Sequence, residues 1–264
     1  MADPFTLIRV TDTETTGMND PAEMVEIGWT DIRLFPTGWG IESGPHSRLV
    51  NPGLPISFGA MAVHHITQAE AETGISPEEA RRLVKAGADV LCAHNAAFDS
   101  RFIPGHDPAW ICTYKAAKTA WPDLESHTNG AIRYARNLVA ADDPRAMPSH
   151  RAGPDTWVTA HILLDLLKEY SLEKLLDIAS KPVLLLKINF GKHEGLRFSE
   201  IPFDYLDFIV NKSDMRNDPK KEDVVFTARE EIRRRASSAP ASQPPTQRAP
   251  VEDPDAWRSK VGSF

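Results

Sequence analysis

The sequence predicts an α/β fold in which helices flank a mixed β-sheet. Two observations support this prediction. Residues 6–10 are β-branched or apolar except for Arg9, and residues 24–34 alternate, as expected for two strands linked by a hairpin. Further along the chain, short apolar runs alternate with helical segments, which is typical of strands that lead into helices packed on a sheet.

The remaining elements follow in order from local signals. Residues 47–51 are a third predicted strand, and Ser76-Pro77 starts a helix, with Ser as the N-cap and Pro at the first helical position. Short strands are predicted at 89–94 and 110–113. Helices are predicted at 76–85, 95–102, 114–121, 129–139, 154–170 and 172–179, and residues 142–149 form a proline-containing loop.

The chain of 264 residues is long enough for one substantial domain and a smaller one. We predict a main domain at 1–180, a small α+β module at 183–235 and a disordered tail at 236–264. A strand at 183–190 and an amphipathic helix at 203–210 are expected in the module. The tail is rich in Ser, Pro, Ala and Gln, a composition that cannot bury enough apolar surface to become ordered.

Charge and cysteine content restrict the class of protein. The net charge of −7 is uneven, with −9 over residues 1–180 and +2 over residues 181–235. No apolar run approaches the roughly 20 residues that span a bilayer, and the first residues do not resemble a signal peptide. Cys92 and Cys112 lie in apolar runs and are expected to be buried thiols, so we predict a cytoplasmic protein.

The first candidate site lies at the end of the opening strand. Asp12 and Glu14 are two residues apart, so their side chains share one face of the strand. Two carboxylates directed at one spot repel each other unless a hard divalent cation lies between them. An isolated pair of this kind is more often a solvated strand end, so the interpretation depends on partners elsewhere.

Three further residues supply those partners. Asp99 and Asp155 each lie in the first turn of a predicted helix, and His150 precedes Asp155 on a loop. Side chains at strand and helix ends converge at one edge of a sheet. Four carboxylates can hold two Mg²⁺ ions for an in-line phosphoryl displacement, and a histidine can take a proton from the attacking water.

At these residues the sequence resembles the DEDD exonucleases of the ribonuclease H-like superfamily, in the subgroup with a histidine in its third motif. The first motif, D-x-E-T-T-G, matches 12–17, and the second, H-N-x-x-F-D, matches 94–99. The third, H-x-x-x-x-D, matches 150–155. Val63-His64 with Ile66-Thr67 is similar to the segment that borders the substrate pocket in this family.

The resemblance implies a ribonuclease H-like fold and a 3′–5′ exonuclease that releases nucleoside 5′-monophosphates from DNA, with a role in DNA repair. It implies two Mg²⁺ ions, which Mn²⁺ could replace, and His150 as general base. The implied metal ligands are Asp12, Glu14, Asp99 and Asp155. The implied contacts to the terminal nucleotide are Thr15, Thr16, His64 and Asn95.

Two segments are similar to the exodeoxyribonuclease X branch of this family. These are 111–113 with Trp121-Pro122, and the F-G-K-x-x-G pattern at 190–195 in the small module. The glycines predict a tight turn that presents Lys192 and His193. The module either contacts nucleic acid, which its net positive charge favours, or is a surface hairpin that makes no such contact.

Other functions remain open from the sequence. The chain could be the proofreading subunit of a DNA polymerase, or an exoribonuclease, since nothing fixes discrimination of the 2′-hydroxyl. An inactive binding module is disfavoured because all five catalytic residues are intact. The end of the tail, with Trp257 and Phe264, is either a protein-binding motif or an inert terminus.

Overall fold

The computed structural model describes residues 6–105, 107–218 and 221–238. These residues contain one five-stranded sheet with the order β3-β2-β1-β4-β5. The strands are β1 (Leu7–Thr15), β2 (Met24–Phe35), β3 (Gly38–Leu49), β4 (Val90–Ala93) and β5 (Ala109–Cys112). β1 to β3 pair antiparallel, whereas β4 pairs parallel with both β1 and β5. The predicted mixed sheet is confirmed.

Ten α-helices surround this sheet and extend beyond it. They are α1 (Phe58–His64), α2 (Gln68–Ala71), α3 (Pro77–Lys85), α4 (Ala96–Asp99), α5 (Thr113–Ala120), α6 (Asn129–Ala135), α7 (Ala152–Leu166), α8 (Leu172–Ala179), α9 (Phe203–Asp207) and α10 (Glu222–Ser238), all within the described ranges. Both sheet faces are covered. α5, α6, α7 and α8 pack on the face of Ile8 and Val10, and α3 packs on the face of Leu91.

Several boundaries differ from the prediction. β3 begins at Gly38 rather than at 47, because it is a half-exposed edge strand whose polar and glycine residues give no alternating pattern. α6 ends at Ala135, four residues before the predicted end. α7 begins at Ala152, two residues before Pro154, and ends at Leu166. Cys92 and Cys112 are buried free thiols, as expected.

The small module has its own core but not the predicted strand. Residues 183–190 form no strand, and the described part of the module contains one isolated bridge, Lys187 to Arg197. Backbone N–H groups of Val183 and Leu185 donate instead to Asp223 and Thr227 of α10, at 2.8 and 2.9 Å. Further along, Ile188 donates to the carbonyl of Leu196 and Phe198 to that of Leu186, which gives a single bridge and not the strand predicted at 183–190.

The module is therefore helical. α9 continues into a single π turn, Phe208–Lys212, and packs with α10 around a core separate from that of the sheet. This core consists of Ile188, Phe198, Ile201, Leu206, Ile209, Val224, Val225 and Ala228. α10 extends to Ser238, so the first three residues of the predicted tail are helical. The rest of the tail, with its possible partner motif, lies outside the described residues.

Across the three described ranges, no helix is both long and apolar enough to cross a membrane.

Candidate active site

Three carboxylates converge where β1 ends and α7 begins. Asp12 and Glu14 project from the same face of β1, as their spacing predicts. Asp155 reaches them from the first turn of α7. One oxygen atom of each of the three carboxylates lies within 4.8 Å of the other two. The described residues therefore present a compact set of oxygen donors.

Alternate residues of β2 hold α7 against the sheet. Glu26 accepts the N–H of Ala152 at 2.9 Å, and the hydroxyls of Thr30 and Thr156 are 2.9 Å apart. Between them, Gly28 lets the backbones touch, since a Cβ atom there would lie 2.3 Å from the carbonyl carbon of Ala152. The first turn of α7, with its aspartate, is thus fixed beside β1.

Asp99 approaches the cluster from α4. That helix follows β4 directly, and β4 pairs parallel with β1, so Asp99 lies beside the carboxyl end of β1. Its Oδ1 accepts a hydrogen bond of 2.8 Å from Oγ1 of Thr13, and the residue is only 3% exposed. Asp99 lies outside the compact trio, but its charge acts on Asp12.

Burial and mutual repulsion make the cluster hard to ionise. Burial, followed by the charges of neighbouring carboxylates, raises the pKa of Asp12 well above its ordinary value and that of Glu14 to about 8. Burial also raises the pKa of Asp99 to about 7 and of Asp155 to about 6. Such carboxylates fit a hard divalent cation, which supplies the missing positive charge.

His150 lies on the loop that leads into α7, with its side chain exposed. Its backbone is left-handed, at φ 59°, and its N–H donates to Oδ2 of Asp155 at 3.0 Å. The backbone of the histidine is therefore attached to a carboxylate of the cluster. The role of its exposed side chain as general base remains a prediction.

A pocket of about 230 Å³ opens beside Glu14. It lies between the end of β1 and α1. Its lining residues are Glu14, Thr15, Gly17, Met18, Ser57, Gly59, Ala60, Val63 and His64. Met18 and Val63 are apolar yet 73% and 47% exposed, so they give the pocket an apolar rim next to the carboxylates.

Of the four residues predicted to contact the terminal nucleotide, two line this pocket and two do not. Thr15 and His64 line the pocket, whereas the hydroxyl of Thr16 accepts the N–H of Glu23 in the loop after β1. Asn95 is exposed and makes no capping hydrogen bond at the start of α4. These four assignments remain predictions.

Both ring nitrogens of His64 are already engaged. Nδ1 accepts the N–H of Ile66 at 3.0 Å, so Nε2 carries the proton and faces the carbonyl of Thr15 at 3.3 Å. Burial lowers the pKa of His64, which favours this neutral form. His64 can therefore offer the pocket a ring surface rather than a free hydrogen-bonding atom.

Sequence reasoning missed Thr13 and Glu26. Thr13 lies between two recognised carboxylates, and a hydroxyl there gave no separate signal. Glu26 did leave a signal: it is an acid inside the otherwise apolar run Met24–Ile27, and a buried acid requires a partner. Its position opposite Glu14 follows from the strand register, which the sequence alone does not supply.

A mixed sheet with converging carboxylates at the end of its central strand defines a ribonuclease H-like hydrolase that uses a divalent metal. The family model described as Exonuclease (RNase_T) matches residues 10–163. Exodeoxyribonuclease 10 of Escherichia coli strain K12 is 33% identical over 213 residues, which are 79% of this chain and 92% of that protein. The chain belongs to the exonuclease family.

Solved structures and a further relative agree with this assignment. Exonuclease X in complex with 5′ overhanging duplex DNA matches with a TM-score of 0.56 and 34% identity, over 65% of this chain and 99% of that chain. Cell-death related nuclease 4 matches with a TM-score of 0.50 and 18% identity, over 63% of this chain and 65% of that chain, and supports the fold alone. A DNA polymerase III subunit epsilon-like protein of Rhodobacter capsulatus is 32% identical over 60% of this chain and 23% of that protein.

Proposed function

We propose that this chain is a 3′–5′ exodeoxyribonuclease that hydrolyses the terminal phosphodiester of DNA and releases nucleoside 5′-monophosphates. The observation that carries the proposal is the convergence of Asp12, Glu14 and Asp155 beside a small pocket. The relatives named above as exodeoxyribonuclease 10 and exonuclease X support DNA as the substrate. A role in DNA repair is part of this proposal.

Asp12, Glu14 and Asp155 would hold a divalent ion, and Asp99 would complete a site for a second. We assign these ions as Mg²⁺, with Mn²⁺ able to replace it, because the donors are all carboxylate oxygens. When bound, the ions would polarise the phosphodiester and stabilise the attacking and leaving oxygens. Without cations, the ionised carboxylates would repel the negatively charged phosphate.

His150 would act as the general base. Its side chain is exposed, and its backbone N–H donates a hydrogen bond to Oδ2 of Asp155. From there a ring nitrogen can accept a proton from the attacking water as the phosphodiester opens. The exposed loop lets the ring approach the substrate, whereas the backbone hydrogen bond limits how far it can move away.

The pocket beside Glu14 would hold the terminal nucleoside. Its size suits one nucleoside rather than a continuing strand, so the phosphodiester that reaches the carboxylates is the last one at the 3′ end. Thr15 and His64 form part of its wall, and the apolar rim of Met18 and Val63 can contact a base. Asn95, exposed at the other side of β1, would contact the sugar or phosphate.

The small module at 183–235 would add affinity for DNA and take no part in the chemistry. All catalytic candidates precede it, and it carries a net positive charge in sequence. Many of its basic side chains are paired, as Lys212 is with Asp207. We assign the contact with DNA to Lys187 and Lys192, which are exposed near the turn that follows the nuclease domain. Nζ of Lys192 lies 5.1 Å from the ring centroid of Tyr205.

Digestion of end-labelled substrates tests the proposal. Linear single-stranded DNA, duplex DNA, closed circular DNA and RNA of matched sequence are each incubated with Mg²⁺ and with excess chelator. We expect stepwise loss of nucleotides from 3′ ends of DNA, no cleavage of the circle and no activity in chelator. Rapid cleavage of circular DNA, or equal activity in chelator, would contradict the proposal, and faster digestion of RNA would assign an exoribonuclease.

Asp12→Asn is the inactive control for this assay. It removes one charge from the centre of the cluster at nearly constant volume, so any residual cleavage in its preparation measures contaminating nuclease. A proofreading role predicts in addition that the chain co-purifies with a DNA polymerase. Because the similarity to the epsilon-like protein covers 23% of that protein, we favour a nuclease that acts on its own.

A further inference from the structure

Glu26 is a carboxylate next to the catalytic cluster that the chemistry proposed above does not use. It lies on β2 opposite Glu14 in the antiparallel register, and only 1% of its surface is exposed. A buried charge is stable only when it is paired and hydrogen-bonded. The partner of Glu26 is Arg151, the residue between His150 and the first residue of α7.

Both oxygens of Glu26 are occupied. Arg151 donates from Nε to Oε2 at 3.0 Å and from Nη2 to Oε1 at 2.7 Å. The N–H of Ala152 donates to Oε2 at 2.9 Å. The side chain of Arg151, the N-cap residue, makes no capping hydrogen bond to α7. Glu26 instead accepts the N–H of Ala152, one of the N–H groups at the helix start that have no partner within the helix. Glu26 is not one of the three residues whose carboxylate oxygens converge.

These three hydrogen bonds lie at the start of α7, close to the proposed catalytic residues His150 and Asp155. His150 directly precedes Arg151, and Asp155 follows one turn later with its Oδ2 accepting the N–H of His150. Glu26 in turn is fixed beside Glu14 by the β1–β2 pairing. One carboxylate thus connects the strand that carries two acids to the helix start that carries the third.

We propose that Glu26 and Arg151 are a positioning pair that holds His150 and Asp155 at a fixed distance from Asp12 and Glu14. The inference rests on the proposed function, since it assigns the pair a role in the same reaction. Arg151 also places a positive charge close to a cluster of acids. A lysine at this position would keep the charge but could not donate two parallel hydrogen bonds as the planar guanidinium does.

A second ion pair on α7 provides a matched control. Asp165, near the other end of the helix, accepts two N–H donors from Arg136 at 2.7 and 3.0 Å. Its side chain is 11% exposed, and the Arg136 side chain is 34% exposed, the same as Arg151. A pair that only stabilises the fold should behave like this one.

The experiment compares Glu26→Gln, Arg151→Lys and Asp165→Asn with the wild type. We would measure kcat and KM on 3′-labelled single-stranded DNA with Mg²⁺, corrected for the folded fraction, and the affinity for Mn²⁺ without DNA. Hydrogen exchange of residues 147–156 would report the start of α7. The Mn²⁺ and exchange measurements use no DNA, so they test the pair even if the substrate assignment fails.

For Glu26→Gln we expect a loss of about 10–100-fold in kcat or in Mn²⁺ affinity, little change in KM, and faster exchange confined to 147–156. Arg151→Lys should show a smaller loss in the same direction. Asp165→Asn should lose stability but keep kcat and Mn²⁺ affinity.

If Glu26→Gln and Arg151→Lys match Asp165→Asn in kcat and Mn²⁺ affinity, the pair is only structural and the proposal is wrong. Should Glu26→Gln fail to fold, Arg151→Lys decides alone.

Discussion

The hydroxyl of Thr13 donates a hydrogen bond of 2.8 Å to Oδ1 of Asp99. Thr13 lies between the two β1 carboxylates and its side chain points away from them, so it ties the aspartate of the second motif to the strand of the first. Asp99 is buried, and this bond lowers a pKa that burial has raised. Thr13 therefore orients a carboxylate that we propose as a metal ligand.

Removal of that hydroxyl should impair the enzyme. Thr13→Val keeps the shape but removes the hydroxyl that donates to Asp99, so we expect a loss of about 10–100-fold in activity. Thr13→Ser retains the hydroxyl and should stay close to the wild type. Steady-state rates on single-stranded DNA at saturating Mg²⁺ would test this, and equal rates for the valine and serine variants would show that the bond is dispensable.

The carboxylate cluster should make the metal-free chain less stable as the pH rises. Burial and neighbouring acids raise the pKa of Glu14 from 4.5 to about 8 in the folded chain. A raised pKa in the folded state means that folding favours the protonated form. Its contribution to stability is complete below about pH 4.5 and is lost as the pH rises through about 8.

Glu14→Gln removes this titration. In chelator at pH 8 the variant should melt at a higher temperature than the wild type, and the difference should shrink towards pH 5. Added Mg²⁺ should stabilise the wild type more than the variant, since the ion replaces the missing positive charge. A wild type that gains stability from pH 5 to pH 8 as strongly as Glu14→Gln would contradict this account.

Gly28→Ala should push α7 away from β2. A Cβ atom there would lie 2.3 Å from the backbone of Ala152, so we expect a destabilisation of about 1–3 kcal/mol together with reduced activity. Gly130→Ala, on α6, is the control, because its Cβ would meet nothing within 4 Å. Denaturant unfolding and single-turnover rates would separate the two effects, and an unchanged Gly28→Ala chain would show that this contact is not required.

The module should contribute electrostatic affinity. Lys187→Gln combined with Lys192→Gln should weaken DNA binding at low salt and leave turnover at saturating DNA unchanged. The slope of log binding constant against log salt concentration should become shallower by about 0.9 for each lost phosphate contact. Lys174→Gln, which removes an exposed lysine paired with Asp177, is the control. Binding titrations at several salt concentrations would decide this, and parallel salt dependences for all chains would assign the module another role.

Much of the fold and site could be predicted because the signals are local. Ser76 and Pro77 mark the start of α3 through capping chemistry, and the carboxylates lie in short motifs with fixed spacing. What the sequence could not supply depends on register and distant contacts. Glu26 meets Glu14 and Arg151 only after strands pair. After Pro182, the N–H groups of Val183 and Leu185 pair with side chains of α10, which is distant in sequence.

The central claim is that His150 moves a proton while Asp155 holds the metal. His150→Asn removes the imidazole but suits the left-handed backbone at this position, whereas Asp155→Asn removes a metal-binding charge. Mn²⁺ affinity and single-turnover rate, measured together on both variants, test the claim most directly.

We predict that His150→Asn keeps near-native Mn²⁺ affinity and loses about 100- to 10,000-fold in rate, whereas Asp155→Asn loses both. A His150→Asn chain that binds Mn²⁺ as poorly as Asp155→Asn, or that retains its rate, would contradict the account.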